Sequence, residues 1–130
     1  MPDLIATAVI VSVDPETLEV NDAYPGTYGF YVRLSRDPGP EWALELDAAY
    51  VAAPHPIHPP VVFRGDTLCV FYLPIYQDSL PEFLAHLERV IAMTNASVET
   101  RNRALPDDTA TREAFRTRLA TVSEEFAAHR

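Results

Sequence analysis

Residues 80–98, LPEFLAHLERVIAMTNASV, decide the architecture of the C-terminal half of the chain. Their apolar positions alternate between steps of four and three residues, which puts the side chains on one face of an α-helix. Ser79 and Glu82 match a capping box, which predicts that the helix begins at Ser79 and runs to about Ala104. The apolar positions are Leu80, Leu84, Leu87, Ile91, Thr94 and Val98, widened by Phe83 and Val90.

A second run with the same spacing follows at residues 115–126. Between the runs, residues 106–109 (PDDT) predict a break and a new helix start, because proline interrupts a helix and the helix dipole favours acids at an N-terminus. The sequence therefore predicts a C-terminal helical hairpin that either covers a sheet or packs against a partner. The expected hairpin interface consists of Leu87, Ile91, Val98, Phe115, Leu119, Val122 and Phe126.

Upstream of these helices the pattern is that of strands. Residues 28–35 (YGFYVRLS) alternate between apolar and polar side chains, which predicts a half-buried strand. Residues 61–64 and 67–73 are apolar runs joined by Gly65-Asp66, and glycine at this place favours a two-residue hairpin turn. Residues 61–73 are therefore predicted to form a β-hairpin.

The N-terminal region predicts two more strands. Residues 4–13 (LIATAVIVSV) are apolar on both faces, which is typical of a central strand. Residues 14–17 (DPET) are a turn pattern with proline at its second position, and residues 18–21 then form a short second strand. The chain is expected to reverse direction at this turn.

From Pro40 the spacing becomes helical, with Trp42, Leu46 and Tyr50 on one face. The element order is therefore β-β-β-α-β-β-α-α, an α+β protein with an antiparallel sheet of four to five strands and a C-terminal helical hairpin. We expect one domain over residues 1–130. Its sheet-rich part with the short helix covers residues 1–75, and the hairpin covers residues 76–130.

The charge balance limits the kinds of partner. The formal net charge is −9, and residues 1–75 contain ten acids against three arginines. An acidic surface repels nucleic-acid phosphates and anionic membranes, whereas it suits a basic protein partner or plain solubility. We therefore expect no nucleic-acid partner and no membrane partner.

Cysteine content and the N-terminal run predict the compartment. Cys69 is the single cysteine, so no disulfide can form within the chain. The apolar run at residues 4–13 is too short to span a bilayer and lacks the basic segment of a signal peptide. Both observations favour a cytoplasmic protein.

Two groups of residues are candidates for a ligand or partner site. His55 and His58 could share a metal ion, but their segment (HPIHPP) offers no third ligand, so we expect no metal. An aromatic loop with an adjacent arginine could present rings and one positive charge to a ligand. These loop residues are Tyr24, Tyr28, Tyr31 and Arg33.

The sequence has no motif for nucleophilic catalysis, phosphate binding or a cofactor, so it predicts a non-enzymatic protein without cofactors. The leading hypothesis is an interaction or accessory domain that contacts a protein partner, or a second copy of itself, through the hairpin and the acidic sheet half. The alternative is a small-molecule-binding protein or small hydrolase with its site near the Tyr24–Tyr31 loop, His55 and His58. An exposed apolar helix face would favour the first, and a deep pocket with converging polar groups the second.

Overall fold

The computed structural model of the chain describes residues 4–129, apart from the side chains of residues 105–108. The elements are β1 (Ile10–Glu19), β2 (Tyr28–Leu34), α1 (Pro40–Ala52), β3 (Val61–Arg64), β4 (Thr67–Tyr72), a short 3₁₀ helix (Pro74–Ser79) and α2 (Leu80–Ala128). The strands form one antiparallel sheet in the order β1-β2-β4-β3. The predicted α+β class and four-stranded antiparallel sheet are thus confirmed.

The N-terminal region differs from the two strands predicted at residues 4–13 and 18–21. The structure has one strand there, β1, which begins at Ile10 and lies at the edge of the sheet instead of its centre. β1 pairs with β2 on both sides of residues 14–17. The chain therefore does not reverse at these residues, and the element order has one strand fewer than expected.

Residues 14–17 form a bulge within β1. Val13 lies opposite Val32 and Leu18 opposite Phe30, so β1 has the longer path between the two pairs. Asp14 Oδ1 accepts the backbone N–H groups of Glu16 and Thr17, at 2.8 Å and 3.2 Å. An aspartate-proline turn satisfies its own backbone in this way whether the chain reverses or bulges, so the pairing with β2 decides the direction.

The segment before β1 is extended and lies along α2, where two asparagines hold it. Asn102 donates to the carbonyl oxygen of Ile5 and accepts its N–H, at 2.8 Å and 2.9 Å. Asn95 makes the same pair of contacts with Ala8, at 2.8 Å and 3.4 Å. Seven residues of helix rise about 10.5 Å and three extended residues about 10 Å, so the two amides match the backbone spacing of the segment.

The core lies between the helices and the inner face of the sheet, the face that the helices cover. The alternation predicted for residues 28–35 is confirmed, as are the helix from Pro40 and the two-residue turn at Gly65-Asp66, where Gly65 has φ +70°. The main buried apolar residues are Phe30, Val32, Leu34, Leu68, Val70 and Tyr72 on the sheet, Trp42, Leu46 and Tyr50 on α1, and Phe83, Leu87, Val90, Ile91 and Val98 on α2.

The C-terminal part differs from the predicted hairpin. A single helix of 49 residues, α2, continues through the position of Pro106 to Ala128. Proline inside a helix removes one hydrogen bond and can kink the axis, but a reversal also needs residues that leave the helical conformation, most often glycine. No glycine follows Gly65 in the sequence, and no non-glycine residue in the described part of the chain has a positive φ.

The start of α2 also differs from the capping box predicted at Ser79 and Glu82. Ser79 is the residue before the helix, but its side chain makes no capping hydrogen bond within residues 4–129. The 3₁₀ helix from Pro74 runs directly into α2 at this point. A preceding helical turn places its own carbonyl groups near the first N–H groups of the helix, which removes the need for a serine cap.

Candidate functional site

The two halves of α2 have different surroundings. In the proximal half, residues 80–104, the side chains of Leu87, Ile91 and Val98 are buried in the core against the sheet. In the distal half, residues 109–129, every residue is exposed. Three of the seven predicted hairpin-interface residues are therefore core residues, and the structure does not bring them to the other four.

The distal half carries four large apolar side chains in the open. Phe115 is 67 % exposed, Leu119 54 %, Val122 40 % and Phe126 64 %. They recur at steps of four, three and four residues and so share one face of the helix. We call these four residues the distal stripe. A contiguous exposed apolar face of this kind is typical of an interaction site.

A second candidate lies on the outer face of the sheet, opposite the helices. The bulge of β1 and the side chains of Tyr31, Arg33, Arg64 and Thr67 line an open cleft of about 740 Å³. We call it the outer cleft. It brings together two of the residues predicted from the sequence, Tyr31 and Arg33. Arg33 is exposed, and its guanidinium forms no hydrogen bond or ion pair with other described residues.

One wall of the outer cleft is an ion pair between the two edge strands. Arg64 on β3 donates two hydrogen bonds to the carboxylate of Glu19 on β1, at 2.6 Å and 2.7 Å. The hydroxyl of Tyr31 donates to the same carboxylate at 2.9 Å. Hydrogen bonds from Arg64 and Tyr31 hold the pKa of Glu19 at about 2, and the carboxylate in turn raises the pKa of Tyr31.

This ion pair passes over a buried part of the outer face. Cys69 and Phe71 on β4 are fully buried there, and the ring of Tyr24 lies 4.5 Å from that of Phe71. Gly29 on β2 makes the packing possible, since a methyl group at this position would come within 2.8 Å of both Cys69 Sγ and a ring carbon of Phe71. Burial raises the pKa of the Cys69 thiol, which disfavours the reactive thiolate, and the side chain packs in the sheet.

The predicted histidines lie at the end of α1, away from the outer cleft. The ring of His55 stacks on that of His86 at 4.4 Å, and the ring of His58 stacks on Tyr50 at 4.0 Å. His86 is buried, and its Nε2 has no hydrogen-bond partner among the described residues. Burial lowers the pKa of His86, and the neighbouring His55 lowers it further, so the ring is neutral near pH 7.

A small cavity links part of the histidine segment to the aromatic loop. Its volume is about 280 Å³, and Thr27, His58 and Tyr76 line it together with several prolines. Ligand pockets are usually larger, from about 300 to 1,000 Å³. Tyr28 lies at the start of β2 and is exposed. Among the described side chains, which leave out residues 105–108, no three histidine, cysteine or acidic groups are placed to hold a metal ion.

Three residues of these sites were not among the site residues predicted from the sequence. Glu19 and Arg64 are 45 positions apart and meet only because they lie on the two edge strands. His86 could have been found, because it lies three positions after Phe83 on the buried face of the predicted helix. Its unpartnered nitrogen depends on the packing of α1 and could not be inferred.

Comparison with known proteins adds no family to this description. No protein-family model, curated protein or solved structure matches the chain. None of the helices in the described part of the chain is both long enough and apolar enough to cross a lipid bilayer.

Proposed function

We propose that this chain is a non-enzymatic protein-interaction domain that binds a helical partner through the distal stripe. The observation that carries the proposal is the exposure of the four residues of the distal stripe along one face of the distal half of α2. An apolar helix face takes up another helix, or lies in an apolar groove, through residues at this spacing.

The energetics of an isolated helix favour the same conclusion. Helices in proteins gain most of their stability from packing of an apolar face and not from intrinsic propensity. The distal half has no covering layer among the described residues, since each residue from 109 to 129 is exposed. A partner that covers the distal stripe would supply the missing packing.

Residue-specific photo-crosslinking in the cells that make the protein tests this proposal. A photoreactive side chain at Leu119 lies on the distal stripe, and one at Thr117 lies on the opposite face of the same helix turn. We expect protein adducts from position 119 and few from position 117. Equal yields at the two positions, or none at either, would contradict the proposal.

A second candidate function, binding of a small anionic molecule, has support from the outer cleft. Arg33 offers a guanidinium that has no partner among the described side chains, and it lies in the cleft next to Arg64, which is paired with Glu19. Guanidinium groups bind carboxylates and phosphates through paired hydrogen bonds. Titration with citrate and with inorganic phosphate, followed by NMR, would show saturable shifts at β2. Arg33→Ala should abolish them and the exposed control Arg36→Ala should not.

A further inference from the structure

We infer that the partner covering the distal stripe is a second copy of this chain, packed antiparallel along residues 109–129. The inference rests on the proposed function and names its occupant. The two copies would place their sheets at opposite ends of a short two-helix interface. Three properties of the distal half support it, which are its charge balance, the register of its apolar residues and the order of its charged residues.

The charge balance of the distal half permits self-association. The whole chain carries a net charge of −9, so most surfaces of two copies repel each other. Residues 109–129 contain three arginines and three glutamates and are therefore neutral overall. A basic partner would gain nothing from this segment, whereas a second copy meets it without electrostatic cost.

The apolar residues of the distal stripe are self-complementary in the antiparallel direction. The spacing of four, three and four residues is that of a and d positions in a heptad repeat, with Phe115 and Val122 at d and Leu119 and Phe126 at a. Antiparallel helices pack a positions against d positions. One register satisfies all four layers, with Phe115 opposite Phe126 of the second copy and Leu119 opposite Val122 of the second copy.

The flanking charges select the same direction. Arg118 and Glu125 each directly precede an a position. In the antiparallel register, Arg118 lies beside Glu125 of the second copy and Glu125 lies beside Arg118 of the second copy, so two ion pairs form. In a parallel register, the flanking pairs within residues 109–129 are Thr111 with Arg116 and Arg118 with Ser123, which do not attract. The antiparallel arrangement therefore has the better charge complementarity.

The position of Glu125 within its own helix points the same way. Glu125 lies in the last turn of α2, which contains no basic residue. The negative end of the helix dipole disfavours an acid at this place by a few tenths of a kcal/mol. In the antiparallel register, Arg118 of the second copy lies beside Glu125 and offsets that cost.

The size of the surface predicts a weak, concentration-dependent dimer. The four side chains expose about 400 Å² per copy, on the scale of roughly 150–250 Å² for a whole aromatic side chain. Two copies thus bury about 800 Å² from the stripe alone, and flanking residues bring the total near the lower limit of about 1,200 Å² for specific interfaces. We expect a dissociation constant on the order of 1–100 µM, as for weak interfaces of this size class.

A second open surface that could self-associate is the free edge of β1. Its exposed residues include Val11 and Leu18, which lie on either side of the bulge at residues 14–17. A bulge that contains a proline interrupts the row of backbone groups needed to pair with another strand. The edge of β1 is therefore protected, and the distal stripe is the better surface.

Sedimentation velocity on the full chain across this concentration range tests the inference. We expect the wild type to pass from monomer to dimer, and Leu119→Glu to weaken dimerisation at least about 100-fold, since it buries a charge in a central layer. Thr117→Glu on the opposite face is the matched control and should leave the dissociation constant unchanged. Circular dichroism of each variant confirms that α2 is still folded.

Charge reversal tests the direction of the two helices. Arg118→Glu and Glu125→Arg should each weaken the dimer about ten-fold, because each replaces two attractive pairs by two repulsive ones. The double variant R118E/E125R should restore the wild-type dissociation constant. A dimer without this rescue would overturn the antiparallel register.

A wild-type chain that stays monomeric at every concentration would overturn the second copy as occupant. The photo-crosslinking result then separates this failure from that of the proposed function. Adducts from position 119 with other proteins would leave the interaction domain in place, while an adduct of two copies, twice 14.5 kDa in mass, would support both. The absence of adducts would overturn both.

Discussion

The proximal and distal halves of α2 have the same spacing of apolar residues and opposite surroundings. Leu87 and Ile91 in the proximal half are buried by the sheet, whereas Leu119 and Phe126 in the distal half are exposed. The repeat of four and three residues predicts a helix equally well in both places. Periodicity therefore indicates which face of a helix needs a cover and leaves open what covers it.

The width of the apolar face separates the two halves. In the proximal half, Phe83 and Val90 are also fully buried, so the face spans enough of the helix to pack on a sheet and on α1 together. The large apolar residues of the distal half lie at the a and d positions alone, which is the narrow apolar face of paired helices. A wide face thus indicates packing within the chain, and a narrow one indicates pairing with another helix.

The largest effect that can test this comparison is expected from a core aromatic of the proximal half. Phe83 is fully buried, and its ring lies 5.6 Å from that of Tyr72. Phe83→Ala should lower the free energy of unfolding by about 3–5 kcal/mol, because it removes buried surface and leaves a cavity. Urea unfolding followed by circular dichroism measures it. A loss below about 1 kcal/mol would mean that the proximal half is not packed as described.

A smaller loss of stability is expected from replacing Asn95, which holds the segment before β1 on the proximal half. Asn95 bonds the backbone of Ala8 and accepts the indole N–H of Trp42 at 2.8 Å. Asn95→Ala leaves these partly buried groups without partners and should cost about 1–3 kcal/mol in the free energy of unfolding. Asn102→Ala, which frees only the backbone of Ile5, is the matched comparison and should cost less. Equal losses would show that the contact with Trp42 contributes nothing.

The proximal half should also make stability depend on pH through His86. Its pKa lies below the ordinary value of 6.5 in the folded chain because of burial, so the unfolded chain binds the proton first as the pH falls. The stability that the neutral His86 ring contributes is fully present above about pH 6.5. It is lost as the pH falls below that value toward the lower pKa of the folded chain. The free energy of unfolding should therefore fall between about pH 7.5 and 5.5.

A pair of histidine variants isolates this dependence. His86→Phe keeps a ring that can stack on His55 and removes the titration, so its stability should vary less between the two pH values. His129→Gln, an exposed histidine at the end of α2, should keep the wild-type dependence. A wild-type slope that survives in His86→Phe would assign the pH dependence to other groups.

Local signals predicted several elements of the fold. Alternation in β2, proline at the start of α1 and Gly65 in the turn between β3 and β4 each act within a few residues, and the structure confirms all three. The failures at residues 14–17 and at Pro106 have a common cause. Both segments contain residues typical of a chain break, but whether the chain turns or continues depends on what the flanking residues pair with.

The candidate sites were predictable to a lesser extent, because they depend on contacts across the sequence. The alternation of apolar and polar residues predicted that Tyr31 and Arg33 share one face of β2, and both line the outer cleft. The sequence could not show that Glu19 and Arg64 complete it, since they come from opposite edges of the sheet. The spacing of the apolar residues predicted the distal stripe. Its exposure could not be predicted, because it depends on the continuation of α2 without a reversal.

The smallest expected effect concerns the distal half and completes the comparison with Phe83. Phe115→Ala removes the same atoms from a side chain that is 67 % exposed. In dilute protein, where the monomer dominates, it should change the free energy of unfolding by no more than about 0.5 kcal/mol, because little burial is lost. In concentrated protein the wild type should gain stability from association by mass action, and Phe115→Ala should gain less. Urea unfolding at two protein concentrations measures both. If Phe115→Ala costs several kcal/mol in dilute protein, the distal half packs within its own chain, and the distinction between the two halves of α2 does not hold.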